Sequence, residues 1–262
     1  MEIRACLFDV FGSLVDWRTS VAGDLERFAR GKGITGVDWT AFAVEWRRLY
    51  QPSMEEVRSG RRPWTILDVL HRESLAQVVG KFGVRGLSEA DLEHMNRAWH
   101  RLKPWPDVVE GLARLKAKYI IAPCSNGNIA LMVNLAKHSG LPWDCILGAE
   151  TSRAYKPRPE AYLNSCRHLD LPPSSVLMVA AHNSDLKAAK EQGLRTAFFP
   201  RPTVGGIDVA AGDRGADFFC RRQGFGSAVW YDSSERASQA VGPEGQLIGR
   251  SPVLRDLLCR KY

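Results

Sequence analysis

Short apolar runs separated by helix-length amphipathic stretches recur along this chain, and that alternation restricts the fold more than any other feature. IRACLF at 3–8, YIIAP leading to Ser125, CILGA around 145–149, SVLMVA at 175–180 and RTAFF at 195–199 are almost continuously apolar. Runs of that kind predict strands buried on both faces. Between them, helical spacing predicts helices near 107–117, from about Asn128, near 159–169 and from about Ser184. Strands alternating with helices of this length specify a parallel α/β sheet in three layers with right-handed crossovers. In such sheets ligands bind beyond the carboxyl ends of the strands.

One stretch breaks the rhythm. From Trp17 to His100 the apolar residues fall at helical spacing with no strand run: Val21, Leu25, Phe28; Phe42, Trp46, Leu49; Ile66, Leu67, Leu70; Leu92, Met95, Trp99. Asp38 reads as a helix start, and Ser88 opens SEAD, a capping box with its acid three positions on. The expected organisation is an α/β core from residues 1–14 and 102–202, a helical insert over 15–101, and a segment at 203–262 of uncertain fold that completes the core in part. That last segment is rich in Gly, Arg and Ser, with strand or helix character only at ADFF (216–219) and SPVLRDLL near the end.

With 262 residues, 45% hydrophobic and 25% charged, the chain can bury a sizeable core and does not read as disordered. No run of about 18 apolar residues is present to span a bilayer. MEIRACLFDV leads into a strand instead of a secretory leader, so a cytoplasmic location is the expectation. Six scattered cysteines, none in a CxxC pair, read as reduced thiols. The net charge of +7 favours an anionic partner but does not choose among nucleic acid, acidic surfaces and small anions. The arginines at 58, 61, 62, 214, 221 and 222 lack the interleaved aromatics of a groove-binding motif, so no nucleic acid is expected.

The chemistry-bearing residues gather at the predicted strand ends. Asp9 ends the first strand, and in LFDVFGSLVD the position two residues on, where a second acid would make a pair, is Phe11. An ionised carboxylate at the end of a buried strand needs a partner, and Lys156 in SRAYKPRPEAY is a candidate. Ser125 and Asn126 precede Gly127 at a helix start, where backbone N–H groups can receive an anion or merely cap the helix. Asp185 follows VAAHNS and suits either a cap or a site.

The order of these groups resembles the haloacid dehalogenase superfamily over about residues 1–202. Most of its members are Mg-dependent phosphatases reading DxDGT, whose second acid protonates the leaving alcohol. Phe11 removes that acid, and a halide leaving group needs none. DVFGSLVD, WRRLY at 46–50, SNG at 125–127 and YKPxPxxY at 155–162 resemble the type II 2-haloacid dehalogenases. The resemblance implies a Rossmann-like core with a helical cap, and no cofactor or metal. It implies Asp9 as nucleophile on (S)-2-haloalkanoic acids, with haloacetates included, giving (R)-2-hydroxy acids through an aspartyl ester.

In that picture Ser13 bonds the nucleophile, Lys156 keeps it ionised, and Asp185 orients Lys156 or the hydrolytic water. Ser125 and main-chain N–H groups hold the substrate carboxylate, Arg47 and Asn126 cradle the halide, and Phe11, Tyr162, His182 and Asn183 complete the pocket. The expected partners are a small anionic 2-haloacid and halide, with no membrane; a homodimer through the cap is left open. Three residues depart from the family pattern: Phe11 stands where a Tyr is usual, and VAAHNSD puts Ala180 and His182 where Ser and Asn are usual. Beyond about Phe219 the closing strand and helix are not recognisable. A Mg-dependent phosphatase or phosphonatase-like hydrolase and a catalytically lapsed binding protein are the alternatives.

Overall fold

The computed structural model describes residues 2–201, 216–223 and 227–232. Strand β1 (Ala5–Phe8) is buried along its whole length, with Ala5 and Leu7 in one cluster and Cys6 and Phe8 in the other. The two-residue period of a strand sends neighbours to opposite faces, so both faces must be covered. After a turn come β2 (Val15–Asp16), α1 (Trp17–Gly31), α2 (Trp39–Arg48), α3 (Tyr50–Arg58), α4 (Leu67–Lys81) and α5 (Glu89–Asn96). A 3-10 turn (Arg97–His100) then leads to β3 (Lys103–Pro104), which pairs antiparallel with β2 and closes the neck of the insert.

The alternation resumes with α6 (Val108–Lys116), β4 (Ile120–Ser125), α7 (Ile129–Ser139), β5 (Leu147–Gly148), α8 (Ala149–Ser152), α9 (Pro159–His168), β6 (Val176–Ala180), α10 (Asn183–Glu191) and β7 (Arg195–Phe198). Strands β8 (Phe218–Gln223) and β9 (Ser227–Asp232) follow. The sheet order is β5-β4-β1-β6-β7-β8-β9, parallel through β8, with β9 antiparallel to β8. Because the chain adds β4 on one side of β1 and β6 on the other, the crevice of the sheet opens at the carboxyl end of β1.

The parallel sheet is as expected, with ADFF entering β8; the β9 hairpin was not foreseen, and SPVLRDLL lies outside the described residues. Asp38 caps α2 by accepting from the Thr40 and Ala41 N–H groups, and Ser88 and Asp91 form the capping box of α5. No described helix is long and apolar enough to cross a membrane.

Insert and sheet are tied through polar contacts. Asn128, at the start of α7, leaves its own helix uncapped and pairs with Asp68 on α4: its Nδ2 donates to Asp68 Oδ2 (2.9 Å) and its Oδ1 accepts from the Asp68 N–H (3.2 Å). His100 Nε2 meets Asp68 Oδ1 at 3.0 Å, and the Tyr155 hydroxyl donates to the Thr65 carbonyl at 2.7 Å. These bonds set the insert over the strand ends.

Candidate active site

Asp9 leaves β1 with its N–H bonded to the Val179 carbonyl of β6 (3.0 Å). Gly12 then takes a left-handed conformation (φ 84°), where a Cβ would be strained, and turns the chain back on itself. The turn returns Ser13 Oγ to within 2.6 Å of Asp9 Oδ2. Ser13 Oγ already accepts the Ala181 N–H (3.0 Å), so its own hydrogen goes to Asp9. The loop is held from outside as well: Arg201 Nε donates to the Ser13 carbonyl (2.7 Å) while its guanidinium clamps Asp107 (2.7 and 2.9 Å), and the Trp105 indole donates to the Gly12 carbonyl (3.2 Å).

Lys156, buried on the loop before α9, donates from Nζ to Asp9 Oδ1 (2.9 Å) and to Asp185 Oδ2. Its backbone is fixed at both ends, with its N–H bonded to Asn126 Oδ1 (2.8 Å) and its carbonyl accepting from Arg58 (2.9 Å). The Tyr162 hydroxyl on α9 donates to Asp185 Oδ1 (2.6 Å), and His182, just before α10, places Nδ1 2.8 Å from Asp9 Oδ2.

Burial alone would raise the Asp9 carboxyl, but the Lys156 charge and the bonds from His182 and Ser13 outweigh it, so Asp9 lies far below the ordinary carboxylate range. Lys156 is held well above the usual lysine range: the charges of Asp185 and Asp9 overcome its desolvation. Asp185 moves the other way. Burial raises it, Asp9 adds like-charge repulsion, and Lys156 and Tyr162 offset only part.

Asp9, Lys156 and Asp185 open onto a cavity of about 510 Å³. Phe11, Asn126, Tyr162, His182 and Asn183 line it too, and Arg47 enters from α2 of the insert. Arg47 is held by ring faces: its Cζ lies 4.0 Å from the Tyr50 ring centroid, 5.4 Å from that of Trp17 and 5.8 Å from that of Phe11. Phe11 packs edge-on against Tyr50 and Trp99.

Nine of the eleven expected residues therefore share one cavity, and Ser13 joins them through Asp9. Ser125 does not: it is fully buried and its Oγ accepts the Gly127 N–H (3.1 Å), closing the turn after β4. Its hydroxyl hydrogen is not used by that bond, which occupies Oγ only as an acceptor. Sequence reasoning missed Tyr50, Gln51, Pro157 and Ser184, which also line the cavity. Tyr50 had a signal, since it lies three residues after Arg47, the spacing that places side chains on one helical face.

The chain matches the haloacid dehalogenase-like hydrolase family over residues 3–193. The (S)-2-haloacid dehalogenase of Xanthobacter autotrophicus is 32% identical over 201 residues, which are 74% of this chain and 74% of that protein. The (S)-2-haloacid dehalogenase 4A of Burkholderia cepacia is 28% identical over 74% of this chain and 82% of its own. Among solved structures, a defluorinating L-2-haloacid dehalogenase superposes with a TM-score of 0.75 at 48% identity, over 77% of this chain and 83% of that one. The Xanthobacter autotrophicus L-2-haloacid dehalogenase with chloropropionic acid covalently bound gives a TM-score of 0.66 at 30% identity, over 77% and 79%.

Proposed function

This chain belongs to the haloacid dehalogenase-like hydrolase family, and we propose that within it the protein is a hydrolytic dehalogenase of 2-haloacids. Asp9 attacks the halogen-bearing carbon of an (S)-2-haloalkanoic acid in line, expels halide and forms an aspartyl ester; water then cleaves the ester at its carbonyl and releases the (R)-2-hydroxy acid. Haloacetates belong to the same range, and the defluorinating relative makes fluoroacetate the demanding member to assay.

One observation carries this reading: a carboxylate kept ionised inside the protein faces a guanidinium across one cavity, with a phenyl ring where an alkoxide leaving group would require an acid. Lys156 holds Asp9 charged and aimed. Arg47 and the Asn126 amide meet the departing halide, where fixed donors act on charge as it develops. Asp185, its proton affinity raised by burial, takes the proton of the hydrolytic water. The ring faces around Arg47 exclude water from the bond being broken. A cytoplasmic homodimer is the form we expect, which light scattering and cell fractionation read directly.

The deciding assay is chloride release from (S)-2-chloropropionate, with the product resolved by chirality. Persistence in EDTA and an (R)-lactate product support the reading. Inactivity on haloacids together with EDTA-sensitive phosphate release from a monoester would overturn it.

A further inference from the structure

The two oxygens of Asp9 are held differently, and the difference assigns work to His182. Among the described residues Oδ1 has one donor, Lys156 Nζ at 2.9 Å, which is shared with Asp185. Among the same residues Oδ2 has two, Ser13 Oγ at 2.6 Å and His182 Nδ1 at 2.8 Å. An ionised carboxylate only accepts, so Nδ1 of His182 carries a hydrogen in the resting enzyme and donates it. The ring lies beside Gly12, where a Cβ would stand 3.4 Å from its Cε1, at ordinary contact distance.

Resting on the dehalogenase reading, we propose that Oδ1 is the attacking oxygen and that Ser13 Oγ–H and His182 Nδ1–H form the oxyanion pocket for the second step. Oδ2 carries two donors of its own while the single donor on Oδ1 is divided between two carboxylates, so the Oδ1 lone pair is the better nucleophile. Attack forms the Oδ1–carbon bond and breaks the carbon–halogen bond, and the halide leaves with the bonding pair. Oδ2 is then the ester carbonyl oxygen. Water adds to Cγ, the carbonyl pair moves onto Oδ2, and a proton passes to Asp185. Collapse restores the carbonyl, breaks Cγ–Oδ1 and expels the hydroxy acid, which takes that proton; one further proton goes to solvent. Both donors already point at the atom that becomes negative, so no reorganisation is needed as the charge forms.

His182 is thus a catalytic donor in ester hydrolysis and not the base. Asn tests this sharply, because its Nδ2 hangs from Cγ as the imidazole Nδ1 does, yet it has no basic nitrogen. Rapid-quench halide release from (S)-2-chloropropionate, with mass spectrometry of the quenched protein, separates the two steps. For His182→Ala the expected result is a retained burst of about one halide per site, ester accumulating on Asp9, and steady turnover down roughly 10²–10³-fold. His182→Asn restores turnover to within about tenfold. If His182→Ala lowers burst and turnover by one factor, or changes neither, or if Asn is as slow as Ala, the assignment is wrong. Should the Ala variant fail to fold, His182→Leu and His182→Asn carry the same comparison. Wild-type protein that releases no halide would instead sink the dehalogenase reading itself.

Discussion

The two walls of the cavity hold their charges by opposite means. On the sheet side, Asp9, Lys156 and Asp185 are fixed by directed hydrogen bonds that run back to Ser13, Tyr162, Asn126 and the backbone. On the insert side, Arg47 lies against the faces of Tyr50, Trp17 and Phe11. The sheet wall fixes protonation and direction, because a hydrogen bond is specific for an atom. The insert wall provides a cation among apolar surfaces, which places a guanidinium beside the cavity while keeping water scarce. Chemistry that depends on one oxygen atom therefore sits where loops and helix starts leave the carboxyl ends of the strands, and reception of a spherical halide is left to the insert.

Asp9→Asn tests the sheet wall most severely: turnover should fall by roughly 10⁴-fold or more, as expected for loss of a nucleophile, with the fold retained in circular dichroism. Lys156→Met should be nearly as inactive and should also destabilise the protein, since two buried carboxylates then lose their cation; breaking such a pair costs about 3–5 kcal/mol. The pH dependence has a definite sign. Asp9, with its carboxyl depressed in the fold, contributes stability above the unfolded carboxyl range near pH ~4, lost as pH falls below it. Lys156, raised in the fold, contributes stability below about pH 10 that is lost as pH climbs further. Asp185, raised, opposes Asp9 and favours the fold when protonated. Urea melts should therefore show the widest gap between wild type and Lys156→Met at neutral pH and a narrower one below pH ~4. A gap independent of pH would remove charge pairing from the sheet wall.

Arg47→Lys keeps the charge and loses the planar group that the rings hold. Turnover should drop roughly 10²–10³-fold with only a small shift in unfolding midpoint. A loss under tenfold would mean that ring stacking does not position the halide site, and the contrast between the walls would collapse.

What could be read before folding divides along the same line. The strands were legible because burial on both faces leaves almost no polar residue in IRACLF or SVLMVA. Asp9 was legible because a charge at the end of a buried strand has few destinations, whereas Lys156 and Asp185, each suited singly to a solvated or capping role, were legible only through the order of the groups along the chain. The stack around Arg47 was not, since no periodicity reports which ring face a guanidinium meets. Ser125 was ambiguous because SNG suits an anion loop and a closing turn equally, and the Gly127 bond shows that the turn is formed. The β2–β3 neck is two residues a side, too short for any alternation to register.

Tyr162→Phe removes one donor from Asp185 and tests whether the outer bonds of the sheet wall matter. About tenfold in turnover and about 1 kcal/mol in stability are expected, the net worth of one hydrogen bond. Since Tyr162 helps hold Asp185 down, its loss should raise Asp185 further and move the acid limb of the pH–rate profile upward. An unmoved limb would assign Tyr162 to packing alone.

The smallest effect lies behind the insert wall. His71 on α4 is buried, stacks on Trp99 at 4.6 Å between centroids, and neither ring nitrogen has a hydrogen-bond partner among the described residues. Burial pushes it down to about 3. An imidazole depressed in this way is neutral in the fold, while the unfolded chain takes up a proton below pH ~6.5, so stability drains away as pH falls through that range. His71→Phe keeps a flat ring against Trp99 and removes the titration. Activity at pH 7 should stay within about twofold, and the unfolding midpoint should fall less steeply than wild type between pH ~6.5 and ~4. If the two proteins lose stability in parallel, His71 bears no acid penalty and the insert wall contains a proton acceptor after all. If the variant is slow at pH 7, the ring behind Tyr50 does more than pack, and the division of labour between the walls is less clean than the contacts around Arg47 imply.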